Sequence, residues 1–311
     1  MSNVPTSVMS DNSSSLFERF RRYRQKNREG IEAWVILTPI MLYYVLFAII
    51  PVLVNVVASF SEWNGITAPE WVGVDNYVRY FSDPFYLEIF TNTALFTFGS
   101  LLISVPLGLV VAVLLNQKIR AMGLYRSLWY LPAVTSAAIM AQLVSIFIAP
   151  YGGVLNSIIS SLGFDPVIWT INAGAMRLMI ILFSVWRGIG TTMILYLAAL
   201  QAIPEEMYQA AEVDGAGSVA KFIYITIPMV RNMTLFVVVT GIIAGFQIFE
   251  PILLISKGGP LNKTNTIINQ IYNDAFINAD FGLATTAGTV LGIILLFASI
   301  FAQRISRQGE A

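Results

Sequence analysis

One arginine stands where a charge is costly. Arg187 lies near the middle of the apolar run 176–200. A charge at that depth of a membrane costs at least about 2.5–3.5 kcal/mol on insertion scales, so its guanidinium must face protein or a water-filled cavity. Ser184, Gly188 and Thr191 share its helical face. Two uses are open: Arg187 lines a solute path, or it is half of a structural ion pair with Glu250 as the in-chain partner. A later run places Gly241, Ala244, Gly245 and Ile248 on one face, with Phe246, Gln247 and Phe249 beside them. Aromatic faces next to amide and hydroxyl groups suit a polyhydroxylated solute. The glycines, including Gly190, equally suit close helix packing.

A second candidate is polar. Residues 203–228, IPEEMYQAAEVDGAGSVAKFIYITIP, interrupt two apolar runs. Pro204 suits a first helical position, where its missing N–H would be unpaired anyway. Glu205 and Glu206 follow in the first turn, against the positive end of the helix dipole. Gly215 suits the C′ position, which favours positive φ. The spacing predicts a helix of about ten residues. Met207, Ala210 and Ala211 share one face. Adjacent alanines leave a shallow surface that another protein can approach closely; the alternative is an ordinary loop helix packed on its own neighbours.

Much chemistry is excluded. The chain has neither Cys nor His, which removes thiolate chemistry, disulfides, the usual zinc sites and His acid–base catalysis. The stretch 258–264, GGPLNKT, has P-loop residue types, but no Gly precedes Lys263 and a Pro interrupts it. Asp274, Asp280, Glu250 and Asn278 show no spacing that would pair carboxylates for catalysis. The chain is therefore expected not to be an enzyme, and to bind no cofactor or metal itself. Net charge is zero, and a nucleic-acid partner is not expected.

The elements that must position these residues are membrane spans. Of 311 residues, 56% are hydrophobic and 12% charged, half the charge of an ordinary soluble domain. Runs near the 20 residues needed to cross a bilayer predict six transmembrane helices, about 34–60, 93–115, 124–149, 176–200, 233–255 and 284–302: an all-α membrane protein. Pro132 interrupts the third. Residues 1–32 read as an arm, 33–304 as the spanning domain with its polar loop at about 201–228, and 305–311 as a tail. Thirteen basic residues fall on one side: Arg19, Arg21, Arg22, Arg24, Lys26, Arg28, Lys118, Arg120, Arg126, Lys221, Arg231, Arg304 and Arg307. Four fall on the other: Arg79, Arg177, Lys257 and Lys263. The positive-inside rule puts both termini and the polar loop in the cytoplasm. The aromatic-rich loop 61–92 reads as an interfacial belt or as a surface for an external partner.

Gln209-Ala210-Ala211, three residues, Gly215, nine residues, then Ile225-Thr226-Ile227-Pro228 resembles the EAA loop of ABC-type import permeases, with Gln for the family's Glu and Ile for its Leu. Lys257-Gly258-Gly259-Pro260, Ile271-Tyr272, Ala275-Phe276 and the stretch 281–285 resemble the sugar-importer branch of that family, as do Leu37-Thr38-Pro39 and Ile50-Pro51. The likeness covers about 33–304. It implies a type I importer permease in a bacterial or archaeal inner membrane, supplying half of a carbohydrate pore. It implies four kinds of partner: a second homologous permease, two ATPase subunits that bind the ATP and magnesium, an external solute-binding protein, and the sugar. Glu206, Met207, Gln209, Ala210, Ala211, Asp214 and Gly215 would then couple to the ATPases. Ser184, Arg187, Gly188, Thr191, Gly241, Gly245, Gln247 and Ile248 would line the path. The mechanistic rival is a stand-alone, ion-coupled secondary transporter, which calls for midplane acidic residues. A non-transporting scaffold is the other.

Overall fold

The computed structural model describes residues 28–117 and 120–308. Most of the arm, Lys118 and residues 309–311 lie outside the described residues, and with them Arg19 to Lys26 of the orientation count.

The first helix, α1 (Glu32–Ala58), is 27 residues long, with Pro39 inside it and a π turn at Val45–Ile49. Its apolar side chains are almost all exposed, as suits a lipid-facing or partner-facing span.

The rest of the described chain forms a second unit, beginning at Ala58. A two-stranded hairpin, β1 (Ser61–Glu62) and β2 (Glu70–Trp71), leads to α2 (Asp75–Ser82). Next comes α3 (Pro84–Leu115), whose start is capped by Asp83 accepting from the Phe85 N–H at 2.9 Å. The second span therefore begins nine residues before the expected position. At 32 residues, about 48 Å, it overreaches a 30 Å hydrocarbon core. Two residues of the expected aromatic belt, Tyr80 and Tyr86, are instead buried with Ile89, Phe246 and Leu283.

The third span is not one helix. It consists of α4 (Met122–Val134) and α5 (Ala137–Phe147), bent by 94°. Pro132 cannot donate its turn's hydrogen bond, and the helix ends two residues later, with Thr135 extended. A short outer helix, α6 (Val154–Ser161), precedes α7 (Ala173–Gln201). The polar-loop helix α8 (Glu205–Val213) follows, then α9 (Ser218–Met229), which bends by 65° into α10 (Arg231–Phe246). The fifth span was expected to continue to 255, but α10 stops at Phe246. Pro251 accounts for this, since it lacks the N–H that would bond residue 247 and its ring crowds that carbonyl. A π turn (Ile252–Ser256), α11 (Ile267–Tyr272), a second outer π turn (Asn273–Ile277) and α12 (Phe281–Gln308) complete the chain. Among the described residues, four helices are long and apolar enough to cross a membrane, or six spans if each bent pair counts as one.

The centre of this unit is α7 against α3. Ala112, Met193 and Tyr196 are fully buried there, and a Cβ on Gly108 would collide with Thr192. Gly190 brings α7 against the backbone of α4: a Cβ there would lie 2.5 Å from the Trp129 carbonyl oxygen.

Candidate functional site

The helices α3, α7 and α10 enclose a cavity of about 420 Å³ that continues past the end of α10 to Pro251. All eight residues expected on a solute path, Ser184, Arg187, Gly188, Thr191, Gly241, Gly245, Gln247 and Ile248, line it. They differ in what they do there. A Cβ on Gly188 would meet nothing within 4 Å, so Gly188 opens space instead of packing helices. Gly241 and Gly245 are the reverse. Cβ atoms there would collide with Leu101 and Thr97 of α3. They let α10 close against α3 and so fix the cavity's width.

Sequence reasoning missed the third wall. Ser100 and Ser104 of α3 line the cavity with Phe96, and their four-residue spacing within an apolar run was the available signal. Several hydroxyls here already donate to their own helices: Ser184 to the Ile180 carbonyl at 2.8 Å, Thr240 to Phe236 at 2.8 Å and Ser100 to Thr97 at 3.0 Å. Each bond leaves oxygen lone pairs free to accept. Arg187 and the Gln247 amide supply donors. No ion pair to Arg187 forms among the described residues, although Glu250 lines the same cavity. The Arg187 Nε is buried with no partner. Hydroxyl acceptors and amide and guanidinium donors lining one cavity can hold a solute rich in hydroxyl groups, each of which both donates and accepts.

The polar-loop helix lies at the other end of α7. Its N-cap is Pro204, at φ −59° and ψ 130°, so the proline sits one position before the expected first turn. Its C-terminus closes with the hydrogen bonds of a Schellman motif. The Ala216 N–H donates to the Ala211 carbonyl at 2.8 Å and the Gly215 N–H to Glu212 at 3.0 Å. Gly215 takes φ +80°, as that motif requires. Asp214 is the C-cap. No residue of α8 is buried. Glu206, Met207, Gln209 and Ala210 are exposed and Ala211 is half-buried. Val213 and Val219 extend the bare apolar surface, at 89% and 72% exposed. The Glu212 carboxyl is held below its usual range by the hydrogen bond from Lys221 and by that cation's charge.

The end of α7 remote from α8 is bonded differently. Arg177 of α7 donates to the Lys263 carbonyl and the Asn92 side chain, both at 2.8 Å, and Lys263 pairs with Glu88 at 2.7 Å. Asp274 is buried and accepts from Gln270, Asn278 and Tyr86. Burial pushes its carboxyl above the usual range despite those bonds, and pushes the Tyr80 phenol up to about 12 with help from the Asp274 charge. Asp280, which the sequence left unpaired, bonds Arg79 at 2.9 Å.

Comparison with known proteins agrees with this geometry. Residues 104–309 match the model of the family described as binding-protein-dependent transport system inner membrane component. The chain is 30% identical to the probable ABC transporter permease protein YurN of Bacillus subtilis, covering 91% of this chain and 99% of that one. It is 31% identical to the lactose transport system permease protein LacF of Rhizobium radiobacter, over 90% of this chain and 96% of that one. Among solved structures, it superposes on a bacterial ABC transporter involved in import of the acidic polysaccharide alginate. There the TM-score is 0.81 and identity 26%, over 92% of this chain and 99% of that chain. The chain belongs to the family of binding-protein-dependent transport system inner membrane components: it is a multi-pass permease subunit of an ABC importer.

Proposed function

We propose that this permease passes a carbohydrate across the cytoplasmic membrane through the cavity between α3, α7 and α10. It supplies half of the pore beside a second, homologous permease. A solute-binding protein delivers the sugar on the outer face, and two ATPase subunits dock on α8. Their closure drives the docking helices together and turns the cavity outward; hydrolysis resets it. Both termini and α8 lie in the cytoplasm, in keeping with the thirteen basic residues on that side against four on the other.

The observation that carries the reading is the cavity's chemistry: Arg187, which has no ion-pair partner among the described residues, lines it together with the hydroxyls of Ser100, Ser184, Thr191 and Thr240 and the Gln247 amide. The named substrates of relatives point the same way, being lactose, arabinooligosaccharides and alginate. One relative's substrate, sn-glycerol-3-phosphate, is a polyol phosphate. Nothing favours an ion-coupled carrier, since among the described residues Glu250 is the one carboxylate on the cavity.

Arg187→Met tests the role. Methionine keeps the length and removes both the charge and its insertion cost. The purified complex should keep its melting temperature while uptake falls, assayed with labelled lactose, arabinooligosaccharide and sn-glycerol-3-phosphate in turn. Removing half of a buried ion pair would instead cost about 3–5 kcal/mol. A large melting loss, or normal uptake of a solute the wild type carries, defeats the role.

A further inference from the structure

The docking helix α8 hangs from the spanning body by very little. Among the described residues, two side-chain bonds leave it. In one, Glu212 accepts from Lys221 at 2.9 Å, but the Glu212 side chain is 76% exposed, and such pairs contribute little. In the other, the hydroxyls of Tyr208 and Thr226 are 3.0 Å apart. Tyr208 is half-buried and Thr226 only 4% exposed. Beside this bond, a cavity of about 440 Å³ lies against α8 and the ends of α3 and α7, walled by the polar Asn116, Gln117, Gln201 and Glu205 and by Val113, Leu200 and Ile203. Part of what lies between helix and body is therefore open space, where close packing could have passed on a movement.

Thr226 is well placed to receive such a movement. It is the last residue of a π turn, Phe222–Thr226, inside α9. Insertions of this kind often mark functional sites in helices. Four residues later the chain bends by 65° into α10, which carries Thr240, Gly241 and Gly245 on the wall of the central cavity. The path from α8 to that wall runs through one hydroxyl pair and one bent helix.

We infer that Tyr208 is the positioning residue that carries movement of α8 into the fifth span, through its bond to Thr226. The inference rests on the reading of α8 as the ATPase-docking helix. It assigns Tyr208 no contact with solute or nucleotide. Its ring sets the distance, and its hydroxyl makes the link.

The test uses the absence of cysteine. Thr240→Cys places one thiol on the cavity wall of the complex purified with its own partner subunits. An impermeant maleimide applied from the outer face reports how far trapping with ATP, magnesium and vanadate turns the cavity outward. Tyr208→Phe and Thr226→Val should each shrink the trapping-induced gain in labelling about fivefold, the population shift one ordinary hydrogen bond can drive. The double variant should be no worse than either alone, and Thr226→Ser should behave as the parent. Trapped nucleotide, copurified ATPase and melting temperature should stay unchanged, which separates positioning from docking or folding. Parental labelling in Tyr208→Phe, additive losses in the double variant, or a parallel loss of copurified ATPase would each overturn the inference. If the Thr240→Cys parent itself gains no labelling on trapping, the docking reading fails first and the inference falls with it.

Discussion

The two ends of α7 are fastened in opposite ways. At the end remote from α8, Arg177 and the Asp274 cluster tie α3, α7, α11 and the loop between α10 and α11 together with hydrogen bonds that are buried or half-buried apart from the exposed one from Arg177 to the Lys263 carbonyl. At the inner end, α8 has no buried residue and keeps two side-chain bonds, one of them exposed. A buried polar network bonded largely within the chain favours one arrangement, although the Asn269 Oδ1 in it is left without a partner. An exposed helix with bare Val213 and Met207 leaves apolar surface open to a partner. The contrast suits a machine that is rigid where solute is received and movable where force is applied.

The broadest break of that comparison is topological. A cysteine at Ser218 should react with impermeant maleimide only from the cytoplasm, and one at Asn262 only from outside. Reversed labelling would exchange the two ends and remove the docking role.

Next in size is Gly215→Val. A Cβ at Gly215 meets nothing within 4 Å, so the strain comes only from φ +80°, about 1–2 kcal/mol for an L-residue. Transport per ATP hydrolysed should fall about tenfold as α8 is misdirected, with little change in melting temperature. Wild-type coupling would show that the helix's exit angle is irrelevant.

Asp274→Ala probes the opposite end. It strands the buried Gln270 and Tyr86 without an acceptor, while the exposed Asn278 can turn to water, at roughly 3 kcal/mol for the buried groups. Here the melting temperature should drop by several degrees. An unchanged value would mean that the network does not hold the outer end together.

The smallest effect is one of pH. Burial raises the Asp274 carboxyl above its unfolded value. The folded chain therefore holds this proton more tightly, and the associated stability is lost as pH rises through the raised value. Melting temperature should climb slightly on acidification toward the ordinary carboxylate range, and Asp274→Asn should flatten that slope. An identical slope in the variant would assign it to another group.

The sequence went far because the membrane makes its rules one-dimensional. Lengths of apolar run, the cost of Arg187 at mid-depth, basic residues on one side and the Pro204-to-Gly215 helix signals are all local facts. They placed α8 and the first, fourth and sixth spans to within a few residues, while the second span begins nine residues early and the helix of the fifth stops nine residues short. Breaks inside spans were less legible. Pro132 announced one, but an apolar run reads the same whether straight or bent by 94°. Nor could the run distinguish Gly188, which opens space, from Gly190, which meets the backbone of α4. That choice belongs to the neighbouring helix, not to the glycine.

By itself, then, the order of residues determined which segments enter the bilayer, which faces are polar and where a partner-seeking helix begins and ends. Local hydropathy, dipoles and backbone preferences decide each of those. Only the tertiary structure decided that Ser100 and Arg187 line one cavity, that Asp280 answers Arg79 from 201 residues away, and that Tyr208 reaches Thr226. Each is a meeting of side chains whose separation along the chain carries no periodic signal. Around the cavity, Gly108, Gly241 and Gly245 set how closely α7 and α10 approach α3, a distance that no single helix's sequence fixes.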